Sequence, residues 1–133
     1  MQYWFSIDTG LHQMAKPGAT GLTRIFNAGK YSMQGFKAGL KNEAALRQEL
    51  ALSIVLTILA FVFADSAVEF LLLVIMPWLT FTVELLNSAI EAVVDRIGDE
   101  YHELSGRAKD IGSAAVFVML CLTALTWIAI LFF

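Results

Sequence analysis

The stretch AVEFLLLVIMPWLTFTVELLNSAI, Ala67 to Ile90, decides the architecture. It is apolar as far as Val83 and is then marked by Glu84 and Asn87. A hydrocarbon core of roughly 30 Å takes about 20 helical residues at 1.5 Å each, so this run crosses a bilayer and carries its polar groups at one end. Before it, Leu50 to Ala64 holds no charge, and it reaches spanning length only by drawing on Asn42 to Glu49. After it, Ser113 to Phe133 is a run of 21 residues without a charge. Three spans are predicted.

Composition agrees. Of 133 residues, 58% are hydrophobic and 16% charged, and mean hydropathy is +0.68. Soluble domains carry about 25% charged residues. A soluble two-layer enzyme and a disordered tail are therefore excluded. So is a disulfide scaffold, since Cys121 is the single cysteine. Nine basic against twelve acidic residues give a net charge of −3, which argues against a nucleic-acid partner.

Orientation follows the basic residues, which favour cytoplasmic flanks. Lys16, Arg24, Lys30, Lys37, Lys41 and Arg47 precede the first span, and Arg96, Arg107 and Lys109 lie between the second and third. The connector ADSAVE, Ala64 to Glu69, has none. The N-terminus and the second loop are expected in the cytoplasm, the connector and the C-terminus outside.

Residues 1–19 lack the basic start and sustained apolar run of a secretory signal and are expected to be a mobile extension. From Leu22 to Lys41, Leu22, Phe26, Met33, Phe36 and Leu40 recur at helical spacing, while Lys30, Lys37 and Lys41 share another face. An amphipathic interfacial helix on the anionic cytoplasmic surface is predicted, weakened by Gly29, Gly35 and Gly39. Packing of its apolar residues on the transmembrane bundle is equally compatible with this pattern.

Chemistry concentrates in VELLNSAIEAVVDR, Val83 to Arg96. At 100° per residue, and relative to Glu84, Asn87 falls at about −60°, Glu91 at −20° and Asp95 at +20°, so all four share one face. Glu84 falls just inside the hydrocarbon boundary, Glu91 and Asp95 just outside. A carboxylate at lipid depth reaches a membrane-dissolved alcohol; one about 10 Å lower faces water, nucleotide and metal. Partial desolvation disfavours the charged form of Glu84 and makes it the better proton acceptor, whereas Glu91 stays ionised beside a cation. A metal at Glu91 needs oxygens from another helix, and Glu43, entering the first span from the same side, is the natural donor. The plain alternative is structural, with Glu43 and Arg47 paired at i,i+4. Acids within a span are costly and usually mark function.

The second loop, GDEYHELSGRAKD, supplies the opposite sign. Arg107 and Lys109 sit close to the expected N-terminus of the third span, an arrangement suited to phosphate, although anchoring by the positive-inside rule also explains them. His102 reads equally as a hydrogen-bonding loop residue or a ligand. No P-loop, dinucleotide fingerprint or Cys/His metal spacing is present, so any nucleotide chemistry uses another cradle. Pore-lining in a small oligomeric channel or proton path is the competing use of Glu84, Asn87 and Glu91.

NEAALRQE (Asn42 to Glu49), VELLNSAIEAVVDR and HELSGRAKDIGSAAV (His102 to Val116) closely resemble the integral-membrane diacylglycerol kinases of Gram-negative bacteria, from about Thr20 to the C-terminus. The resemblance implies an all-α membrane protein, with three spans and a surface helix per subunit, assembled as a homotrimer in the inner membrane. It implies transfer of the ATP γ-phosphate to the diacylglycerol hydroxyl, giving phosphatidic acid, with Mg²⁺ as cofactor. By the same likeness, Glu84 is the catalytic base and Glu43 and Glu91 are the Mg²⁺ ligands. Arg24, Tyr31, Glu100, Tyr101, His102, Lys109 and Asp110 contact the nucleotide, together with Glu43 and Glu91. Arg24, Arg47, Glu49, Asn87 and Ser113 shape the lipid pocket around Glu84. Undecaprenol kinases share a similar acidic stripe, but NEAALRQE and HELSGRAKD resemble the diacylglycerol branch.

Overall fold

The computed structural model describes residues 20–98 and 100–133, so the expected extension 1–19 lies outside the described residues. Four helices account for nearly all of them: α1 (Leu22–Asn42), α2 (Ala44–Phe63), α3 (Ala67–Ile97) and α4 (Glu103–Phe132). No strand occurs among the described residues. The chain divides into two compact units between Gln34 and Gly35, within α1.

In the first unit, Gly21 enters the helix at φ 63°, a conformation only glycine adopts without strain, and its carbonyl accepts from the Arg24 N–H at 3.2 Å. Ser32 Oγ donates back to the Ala28 carbonyl at 2.9 Å. The observed helix ends one residue past the expected Leu22–Lys41 range, and its glycines do not break it.

In the second unit, Glu43 separates α1 from α2 by an extended residue (φ −109°, ψ 119°). Arg47 donates to the α1 carbonyls of Leu40 (2.9 Å) and Lys41 (3.4 Å), satisfying acceptors the helix end leaves free. Thus Arg47 is used as a cap, and the Glu43–Arg47 ion pair does not form. The α2 helix draws on Ala44 to Glu49, as the length argument required.

The short turn into α3 is capped reciprocally. Ser66 Oγ accepts from the Glu69 N–H at 3.2 Å, and Glu69 Oε2 accepts from the Asp65 N–H at 2.9 Å. With 31 residues, α3 is roughly 46 Å long at 1.5 Å per residue, well beyond the hydrocarbon thickness. It runs on past the expected Ile90 to Ile97, so its acidic end projects from the bilayer region. Gly98 (φ 155°) stops it.

One boundary differs more. The third span was expected from Ser113, but α4 begins at Glu103, capped by His102. The charged run ELSGRAKD is compatible with a helix that enters from water before reaching apolar sequence. The free helix-terminal N–H groups expected near Arg107 and Lys109 are therefore absent there: those residues lie inside the helix.

Ala60, Leu73 and Trp127 form the buried apolar centre, with Leu56, Phe70, Val74 and Ile130 against it. Apolar burial drives little association in lipid, so polar contacts between helices carry more of the specificity. Thr80 Oγ1 and Thr123 Oγ1 lie 2.8 Å apart across α3 and α4. Trp78 Nε1 donates to Thr57 Oγ1 at 3.0 Å across α2 and α3. Pro77 lacks the N–H that would serve the Leu73 carbonyl four residues earlier. Trp127 Nε1 on α4 donates to that carbonyl at 3.3 Å, and Ser53 on α2 donates to the Pro77 carbonyl at 3.0 Å. The carbonyl that the proline leaves without a helical donor is thus satisfied from α4, and the Ser53 bond ties α2 to the same turn.

Candidate active site

The buried face of α3 runs Leu73, Pro77, Thr80, Phe81, Glu84, Asn87. Its apolar and hydroxyl-bearing upper part packs on α2 and α4, and this packing carries Glu84 and Asn87 inward, each 6% exposed. One turn further, Glu91 is half-buried, and Asp95 is exposed. The polar stripe thus passes from interior to water along one helix face, as the 100° spacing predicts.

Carboxylates from two helices act on one another there. Glu43, at the N-cap of α2, Glu49, in its second turn, and Glu91 all stand close enough to Glu84 for their charges to act on it. Asn87 Nδ2 donates to Glu91 Oε1 at 2.9 Å and fixes that carboxylate. The Asn87 carbonyl oxygen is buried without a hydrogen-bond partner. An apolar groove of about 290 Å³, lined by Leu46, Leu85, Ser88, Ala89 and Ala92 among others, opens beside Glu43.

The turn between α3 and α4 forms a second concavity. Glu100, Tyr101, His102 and Lys109 line a cavity of about 310 Å³ with Asp95 and Ser105. That volume lies at the small end of the roughly 300–1,000 Å³ range of ligand pockets. His102 Nδ1 accepts from the Leu104 N–H at 3.2 Å, so this imidazole presents its other nitrogen to any ligand. Lys109 lies outside the apolar part of α4. The hydrogen bond to Asp95, reinforced by the charges of Asp95 and Glu91, outweighs desolvation and holds its ammonium above the usual lysine value. Lys109 therefore stays charged at neutral pH.

The sequence candidates are only partly gathered. Asn87 and Glu91 are hydrogen-bonded, Glu43, Glu49 and Glu91 lie within electrostatic reach of Glu84, and Glu100, Tyr101, His102 and Lys109 share the second cavity. Arg47 is committed to the α1 end, Asp110 and Ser113 are exposed on α4, and Arg24 and Tyr31 belong to the first compact unit. Sequence reasoning missed the use of Asp95, which binds Lys109 across fourteen residues of chain. It also missed Gly112, whose missing side chain leaves room for Asn87. No local motif signals either pairing.

Paired carboxylates offer hard oxygen donors of the kind Mg²⁺ takes, one or two from protein and the rest from phosphates and water. Among the described residues no three His, Cys, Asp or Glu side chains converge to hold an ion unaided.

Three spans that carry a buried acid within electrostatic reach of further carboxylates, next to a cavity holding Lys109, define a membrane protein with a polar site at one end. The family profile described as "Prokaryotic diacylglycerol kinase" matches residues 30–131. A diacylglycerol kinase from Haemophilus influenzae is 52% identical over 114 residues, covering 86% of this chain and 97% of that one. Diacylglycerol kinases from Pseudomonas aeruginosa (51% identical; 86% and 93% covered) and Escherichia coli K12 (50%; 84% and 92%) are similar over the same extent. The chain belongs to the prokaryotic diacylglycerol kinase family.

Proposed function

We propose that the protein transfers the γ-phosphate of ATP to the free hydroxyl of diacylglycerol to give phosphatidic acid. It works as a homotrimer in the inner membrane, with the N-terminus and the α3–α4 turn in the cytoplasm and the C-terminus in the periplasm. The observation that carries this reading is the buried Glu84 within electrostatic reach of Glu43, Glu49 and Glu91 at one end of a three-span bundle. Relatives named as diacylglycerol kinases at about 50% identity support this acceptor over undecaprenol, and a kinase over a channel.

Each group has a distinct task. Glu84, at the boundary of the hydrocarbon, takes the proton of the lipid hydroxyl as it attacks phosphorus. Glu43 and Glu91 would hold Mg²⁺, which would supply charge neutralisation for phosphoryl transfer. Lys109 turns from Asp95 to the phosphates, and Glu100, Tyr101 and His102 receive the rest of the nucleotide. Arg24 and Tyr31 contact the nucleotide, and Arg24, Arg47, Glu49, Asn87 and Ser113 border the lipid pocket. The groove beside Glu43 offers apolar lining to the lipid. Phosphoryl transfer passes through a loose transition state, so positioning and charge neutralisation contribute more than the base.

Purified protein in lipid bicelles, given labelled ATP, Mg²⁺ and both diacylglycerol and undecaprenol, tests this. Labelled phosphatidic acid is expected; preferential labelling of undecaprenol would overturn the acceptor, and no lipid labelling the kinase itself.

A further inference from the structure

Gly112, buried on α4, faces Asn87 on α3. A methyl group placed on Gly112 would overlap the Asn87 carbonyl oxygen and stand 3.2 Å from its Cγ. The carboxamide has no comfortable way to yield. Its Nδ2 is engaged with Glu91 Oε1 at 2.9 Å. Turning the amide over would set its oxygen against a carboxylate, two acceptors face to face. Its oxygen is already buried without a partner, a costly state that persists because the surroundings impose it. In this position Asn87 serves Glu91, since its oxygen is closed off by α4.

We infer that Gly112 is a positioning residue for the divalent cation: its lack of a side chain seats the Asn87 carboxamide against α4, which in turn orients the Glu91 carboxylate. The inference rests on the reading of Glu91 as a Mg²⁺ ligand. Groups that orient a ligand from behind typically alter metal affinity or activity by ten- to a hundredfold. Gly112→Ala displaces the carboxamide, releases Glu91 and weakens the metal, without touching metal, nucleotide or lipid itself.

The test uses full-length protein in bilayers, with Mn²⁺ binding followed by electron paramagnetic resonance in the presence of a non-hydrolysable ATP analogue. Gly112→Ala is expected to raise the Mn²⁺ Kd about tenfold, and Asn87→Ala similarly. The double variant Asn87→Ala/Gly112→Ala should bind as Asn87→Ala alone, because the clashing group is gone. In turnover, the apparent KM for Mg²⁺ of Gly112→Ala should rise in proportion to its Mn²⁺ Kd. A Gly112→Ala Kd within twofold of the parent, or a double variant weakened by the product of both single effects, would overturn the inference. Should Gly112→Ala fail to fold, comparing the double variant with Asn87→Ala decides the question, since both lack the carboxamide. A parent protein that binds no Mn²⁺ removes the Glu91 assignment and this inference together. One that binds Mn²⁺ with the expected variant pattern but phosphorylates no diacylglycerol removes only the proposed reaction.

Discussion

Lys109 on α4 donates from Nζ to Asp95 Oδ1 on α3 at 2.5 Å, joining the two helices just beyond their turn. Both side chains are well exposed, 40% and 66%, so water screens the pair and it contributes little to stability. Such a pair opens readily when a more highly charged partner arrives. A triphosphate would be such a partner under the proposed role of Lys109, with Asp95 holding the lysine near it without immobilising it.

The two residues should therefore separate in their effects. Asp95→Asn is expected to leave thermal stability within about 1 kcal/mol of the parent. Lys109→Met should reduce kcat/KM for ATP by about 10²-fold, the scale of one lost charge contact in the transition state. Thermal denaturation and steady-state kinetics measure both, and a large stability loss in Asp95→Asn would make the pair a structural clamp instead.

Glu84 is the one buried acid among the described residues, within electrostatic reach of three other carboxylates. Glu84→Gln keeps the shape and removes the proton acceptor. Turnover is expected to fall by at least about 10²-fold, with nucleotide affinity and oligomeric state preserved. Single-turnover phosphorylation alongside analogue binding checks this; undiminished turnover would take Glu84 out of the proton transfer.

Glu91→Gln should act on the other substrate. Replacing a carboxylate oxygen by an amide weakens the cation, so the KM for MgATP rises while that for diacylglycerol holds steady. Kinetics with each substrate varied in turn would expose a wrong assignment as a shift in the lipid constant alone.

Topology has its own check. In a Cys121→Ser background, Asp65→Cys should react with an impermeant maleimide from outside intact cells, and Glu103→Cys only after permeabilisation. The reverse pattern would invert the orientation drawn from Lys and Arg.

Much of this site was legible because helix geometry is regular. The spacing of Glu84, Asn87, Glu91 and Asp95 puts them on one face whatever surrounds them, and the length of the bilayer places the first at its edge. The start of α4 was less legible: Glu103, Arg107 and Lys109 have the polarity of a loop, yet they suit a helix in water equally well. The better signal was Gly98, which ends α3, and His102, whose ring nitrogen caps α4. Pairings such as Lys109 with Asp95, or Asn87 against Gly112, depend on how two helices cross, and no single-helix periodicity carries that.

Pro77 shows the same limit, since a proline within a span is tolerated in many ways. Here it leaves the Leu73 carbonyl without a helical donor, and Trp127 Nε1 supplies one at 3.3 Å from α4. Trp127→Phe keeps the apolar ring but removes the N–H, so the carbonyl is orphaned where no water reaches it. Interhelical hydrogen bonds in membranes are worth about 0.6 kcal/mol on average and about 1.7 kcal/mol at most, and a loss in that range is expected. Pro77→Ala restores a backbone N–H four residues beyond Leu73. In that background the part of the Trp127→Phe loss that comes from the hydrogen bond should disappear, leaving only the change in ring packing. A double-mutant cycle on reversible unfolding in mixed micelles measures the difference. Equal losses in both backgrounds would mean that the indole acts through packing alone and that the proline break is satisfied by other means.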